Sequence, residues 1–174
     1  MNHIDIKSAF LEPQSSPIEF QLNAYQYWLD KRGDRFASGW DEIELMDFPP
    51  DVIPSIAVAD VDPDTFEVKY RFWGTLLTQL HSADLTGKSA SALTPPALGG
   101  FTENAYIKLC KEQKPPLDVK EYFNKQELRG REMVLRMPLS NDGRRVTNSL
   151  AVIYHETIDP ARPHDGFFEH ILRQ

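Results

Sequence analysis

Residues 132–154 constrain the fold more than any other stretch. Met133, Leu135, Met137 and Leu139 alternate with Glu132, Val134 and Arg136, and Val146 to Tyr154 follows after Asn141-Asp142-Gly143. Alternation with period two marks a strand with two unlike faces, and the Asn-Asp-Gly step accepts the positive φ of a tight hairpin. A second hairpin is predicted over residues 55–73. Ile56 and Val58 alternate with Ala57 and Ala59; Asp62-Pro63-Asp64 supplies a turn; Phe66, Val68, Tyr70 and Phe72 alternate with Glu67, Lys69 and Arg71. Leu117, Val119 and Glu121 alternating with Lys120 and Tyr122 give a fifth strand. Tight connections of this kind imply antiparallel pairing.

Helical spacing holds elsewhere. Ser16-Pro17 reads as a helix start, and Ile18, Leu22, Tyr25, Trp28 and Leu29 form one stripe that Gly33 ends. Leu76, Leu77 and Leu80 suit a short helix after Gly74, and Ser89 to Leu93 a further helical turn. Phe101, Ala105, Tyr106 and Leu109 form a stripe that stops before Pro115-Pro116. The expected class is α+β: a five-stranded antiparallel sheet with short helices on one face and an N-terminal flanking helix at 17–32. Residues 1–15 read as an arm, 16–156 as the domain and 157–174 as a C-terminal tail.

Composition narrows the function. The 174 residues carry a net charge of −7, which disfavours nucleic acid, whose binders gain affinity by neutralising phosphates. Lys31-Arg32, Arg129-Gly130-Arg131 and Arg144-Arg145 are short and sit beside turn signals, as solvated loop ends do. A single cysteine, Cys110, suits a reducing compartment, and no apolar run is long enough for a bilayer, so a cytoplasmic location with no membrane partner is expected.

No catalytic constellation stands out. Gly87-Lys88-Ser89 resembles the end of a phosphate loop, but Ser82 occupies the position of its first glycine. His155 with Glu156, and His164 with His170, lack zinc-motif spacing and read as surface or tail residues. No nucleophile elbow, carboxylate pair or glycine cradle is evident, so no enzyme is expected. A small pocket enzyme moving a proton between one Tyr and one Asp remains the outlying alternative.

Four motifs in order carry a family resemblance. Tyr25, Trp28, Arg32 and Arg35 sit on and after the first helix; Tyr70-Arg71-Phe72-Trp73-Gly74-Thr75 ends the second strand. Asp84-Leu85-Thr86-Gly87 forms a turn, and Arg136-Met137-Pro138-Leu139 precedes Gly143. Over residues 20–156 the chain resembles the bacterial stand-alone single-domain PAS proteins. It departs from them at Ser82-Ala83, where the family often has Gly-Arg. The resemblance implies a PAS-like fold and a sensory or regulatory role in bacterial signalling, with no output domain in this chain. Such a domain binds a small ligand between sheet and helices or docks a signalling protein as an adaptor with no ligand.

The resemblance makes Tyr70, Phe72, His81, Tyr106, Met133 and Leu135 the ligand-pocket candidates. A Met-rich, aromatic-lined interior of this kind suits a small apolar ligand. Each of these residues also serves as plain core. No cofactor is required: His81 reads as an axial haem ligand or, with more weight, as a packing or capping residue, and Cys110 lacks the flavin-photochemistry motif. Arg71 and Asp84 are expected to pair as a structural clamp. Ile18, Leu22, Tyr25, Trp28 and Leu29 exceed what a flanking helix buries at a sheet edge. They are homodimer-interface candidates, weighed against the helix folding back on its own sheet.

Overall fold

The computed structural model describes residues 4–158 and 166–173. Six strands form one antiparallel sheet: β1 (Ile4–Leu11), β2 (Ile56–Val61), β3 (Val68–Trp73), β4 (Leu117–Asn124), β5 (Glu127–Leu139) and β6 (Asn148–Thr157), in the spatial order β1-β4-β5-β6-β2-β3. Among the described residues four α-helices accompany it: α1 (Glu19–Arg32), α2 (Thr75–His81), α3 (Pro96–Glu112) and α4 (Phe167–Arg173). The α+β class holds. The sheet has a sixth strand, because residues 4–11, expected as part of an arm, pair with β4 from Ile4↔Asn124 to Leu11↔Leu117.

Both hairpin turns form as their chemistry dictates. The Asp62 carboxylate accepts from the amides of Asp64 and Thr65 at 2.8 and 3.0 Å. The Asp142 carboxylate accepts from those of Arg144 and Arg145, both at 2.8 Å, and Gly143 takes φ +69°.

Helices cover both faces of the sheet, not one. On the first face α2, α3 and α4 bury Leu77, Leu80, Leu98, Leu109, Phe168 and Ile171 against Ala57, Tyr70, Tyr122 and Val134. On the second, α1 and short 3-10 turns bury Ala24, Trp28, Ile43, Phe48 and Val52 against Leu117, Leu135, Met137, Leu139 and Leu150. The flanking helix is therefore part of the core. Its inward residues are Gln21, Ala24 and Trp28, while Leu22 stays 38% exposed. A glutamine points inward because its amide nitrogen donates to two sheet carbonyls, Met133 O and Val152 O, both at 2.9 Å. Trp28, expected among dimer contacts, is 3% exposed, and its indole N–H donates to Pro138 O at 2.8 Å. It is unavailable to a second chain. Ile18, Tyr25 and Leu29 are half-buried.

The tail also returns to the core. Phe167 and Phe168 of α4 are buried, and Phe167 lies against Gly130, where an added Cβ would meet its ring at 2.6 Å. No described helix is long and apolar enough to cross a membrane.

Candidate functional site

A β-bulge decides which side chains reach the space under α2 and α3. Val58 pairs with Phe72 and Ala59 with Tyr70, so Arg71 is an extra residue on β3. The bulge flips the alternation after Tyr70. Tyr70 and Trp73 consequently face α2 and α3, and Phe72 packs on the α1 side. Met133 and Leu135 also pack on the α1 side, so three of the six pocket candidates belong to the opposite face. Tyr70, His81 and Tyr106 do line the expected space.

That space is a cavity of about 30 Å³. Its lining is mixed: Leu77, Leu93, Leu98 and Ile153 are apolar, whereas Trp73, Thr102, Glu132 and Arg136 bring polar atoms. The expectation of an apolar interior gives way at the strand residues read as the polar face. With helices on both sides of the sheet, β4 and β5 bury charge. Asp118 is 1% exposed, Lys120 0%, Glu132 6% and Arg136 4%.

These four charges balance two against two. The Lys120 ammonium donates to Asp118 at 2.5 Å and sits 3.6 Å from Glu132. The Arg136 guanidinium donates to Asp118 at 3.3 Å and lies over the Tyr106 ring at 4.9 Å. The Tyr122 hydroxyl donates to Glu132 at 3.2 Å, and Ser149 Oγ donates to the Tyr106 hydroxyl at 3.3 Å. Buried charge survives only when paired in this way, since an isolated ion forfeits its hydration.

Three lining side chains still carry a buried polar atom with no hydrogen-bond partner: Trp73 Nε1, His81 Nδ1 and Arg136 Nε. Buried polar groups are almost always satisfied. Two of the three are obligate donors, so what completes this site is an acceptor. A cavity of this volume has room for one or two waters.

Burial tunes the titratable groups. The Tyr70 and Tyr122 hydroxyls are pushed well above the ordinary tyrosine value by loss of hydration. Desolvation drives His81 down to about 4, against the opposing pull of Glu132 and a hydrogen bond with Thr94. His81 stacks on Phe168 with ring centres 4.5 Å apart and lies 5.3 Å from Trp73. Its neutral form is the folded form. Stability should therefore be complete above the unfolded histidine value of about 6.5 and fall as pH drops toward 4, by about 3 kcal/mol in all. Denaturant melts across that range check this, and His81→Phe should flatten the profile.

Arg71 and Asp84 do not clamp one another. The Arg71 guanidinium donates twice to Asp60 Oδ1, at 3.0 and 2.9 Å, because the bulge turns it to the solvent side next to β2. The Asp84 carboxylate anchors its own turn, accepting from the Thr86 amide at 2.8 Å. In thermal melts the shifts for Arg71→Ala and Asp84→Ala should simply add in the double variant, as for sites with no shared partner.

His155, read as a surface residue, is buried among Phe167, Phe168 and Tyr122. His164 lies outside the described residues. Among the described residues no three His, Cys, Asp or Glu side chains gather as a metal set. Cys110 is half-buried, and desolvation pushes its thiol up to about 11.

No protein-family model, curated protein or solved structure matches the chain.

Proposed function

We propose that the chain is a PAS-like sensory module of bacterial signalling that takes a small, oxygen-bearing molecule of a few heavy atoms into the cavity between the sheet and α2 and α3. One observation carries this reading: three side chains with an unpartnered buried polar atom, Trp73 (Nε1), His81 (Nδ1) and Arg136 (Nε), line one cavity. A carboxylate or ketone oxygen accepts from the two obligate donors, and its carbon skeleton meets Leu77, Leu93 and Leu98. The PAS-like part of the reading draws on the four motifs and on their arrangement: the β2–β3 and β4–β6 groups share a sheet with helices between them in sequence. It departs from the resemblance in its additional edge strand.

The test fills the cavity. Ala151 lies on its wall, and Ala151→Val occupies its space with two methyl groups. Short-chain carboxylates and ketones should raise the melting temperature of the wild type and leave that of Ala151→Val unchanged. Equal responses of the two proteins, or none in the wild type across the panel, reject the reading.

The size of the cavity favours a second reading, an adaptor that docks a signalling partner and binds no ligand. An adaptor keeps partner binding in Ala151→Val. In either reading the proposed role is binding and not catalysis.

A further inference from the structure

Tyr25, Trp28 and Arg32, which belong to the first of the four motifs, take no part in the cavity under α2 and α3. They line a different one. It has a volume of about 300 Å³ and lies between α1, the turn at Pro13 and the segment that joins α3 to β4. Clefts of this size take small organic molecules. Its apolar walls are flat: the rings of Tyr25, Trp28 and Phe36 stand with those of Pro13 and Pro115.

Arg32 brings a feature that packing does not explain. Its guanidinium is held from two sides. The central carbon lies 5.1 Å from the centre of the Trp28 ring, and Nη1 donates to Arg35 O at 2.6 Å. Nε is buried with no hydrogen-bond partner. Among the described residues the Nε–Nη2 edge, with its two parallel N–H groups, therefore meets no protein acceptor. The neighbouring cations are paired: Lys31 lies 3.8 Å from Asp47, and Arg35 lies 2.7 Å from Glu42. Arg32 has no such carboxylate.

Charge says what fits. In a chain of net charge −7, this lining holds two cations, Arg32 and Lys114, against one carboxylate, Glu12. A single negative charge offsets the excess, which favours a carboxylate over a phosphate monoester with its charge near −2. Two carboxylate oxygens match the guanidinium fork. A flat ring matches the walls.

We infer that this cavity binds a small aromatic carboxylate, its oxygens on the Nε–Nη2 edge of Arg32 and its ring among Tyr25, Phe36 and the two prolines. The site is separate from the cavity under α2 and α3 and does not rest on the reading proposed for it.

Benzoate is the probe. Benzamide has the same ring without the charge, and acetate has the charge without the ring. Isothermal titration calorimetry should show saturable one-to-one binding of benzoate to the wild type, with benzamide and acetate weaker by about tenfold or more. Arg32→Lys keeps the charge and loses the fork, so it should weaken benzoate by about tenfold. Lys114→Gln changes an exposed residue and should weaken benzoate by a few-fold, which probes the site even if Arg32→Lys fails to fold. Ala151→Val, which fills the other cavity, should bind benzoate as the wild type does. No saturable benzoate binding overturns the inference, as does equal affinity for benzamide. Benzoate affinity unchanged in Arg32→Lys and Lys114→Gln overturns it too. Loss of benzoate in Ala151→Val would put the ligand in the other cavity and overturn the assignment.

Discussion

Lys120→Met should lower stability by about 3–5 kcal/mol, read as a drop in the urea midpoint at unchanged slope. The Lys120 side chain is wholly buried, with its ammonium 2.5 Å from Asp118 and 3.6 Å from Glu132. Methionine fills much of the same volume, so packing is nearly preserved. What disappears is one of two positive charges facing two carboxylates, which leaves a net negative charge without water. Adding Asp118→Leu should recover much of the loss, because a buried pair replaced whole by apolar side chains is often neutral in cost. If Lys120→Met melts like the wild type, the four charges are not buried together.

Trp28→Ala should cost about 3–5 kcal/mol, the range for emptying a large aromatic site in a core. The side chain is 3% exposed, stacks on Tyr25 with centroids 6.0 Å apart, and holds Pro138 O through its indole. Truncation leaves a void between α1 and the sheet and orphans that carbonyl. Trp28→Phe keeps most of the ring and loses the hydrogen bond, so it should cost about 1–3 kcal/mol. The size of the loss decides whether α1 belongs to the core. A flanking helix free to leave the sheet would show a small loss and an unchanged unfolding slope.

Most elements were legible in the sequence, because alternation and turn chemistry act locally. The hairpins at Asp62-Pro63-Asp64 and Asn141-Asp142-Gly143, the helix after Gly74 and the helix that stops before Pro115-Pro116 follow from neighbouring residues alone. β1 is harder to read, because only Ile4-Asp5-Ile6-Lys7 alternate before the exposed run of residues 8–11. The inward face of α1 was misjudged at Gln21, whose burial depends on carbonyls more than a hundred residues away.

The site was legible only in part. Tyr70, His81 and Tyr106 line the space between the sheet and α2 and α3, but Phe72 does not, because a bulge at Arg71 leaves no mark in a periodic pattern. Glu132 and Arg136 were missed for a different reason. Charged residues alternating with Met and Leu normally mean solvent, and here the charged face lies under three helices. One signal was available: Asp118 and Lys120 on one strand face Val134 and Glu132 on the next, so opposite charges stand side by side as a buried set requires.

In the proposed reading the polar cavity is a place for a ligand and not a wet corner of the core. Native mass spectrometry of wild type and Ala151→Val, each equilibrated with the same short-chain carboxylates and ketones, tests it most directly. The expected result is one added small mass per wild-type chain and the bare chain mass for Ala151→Val. Bare mass for both proteins, or the same adduct on both, would contradict it.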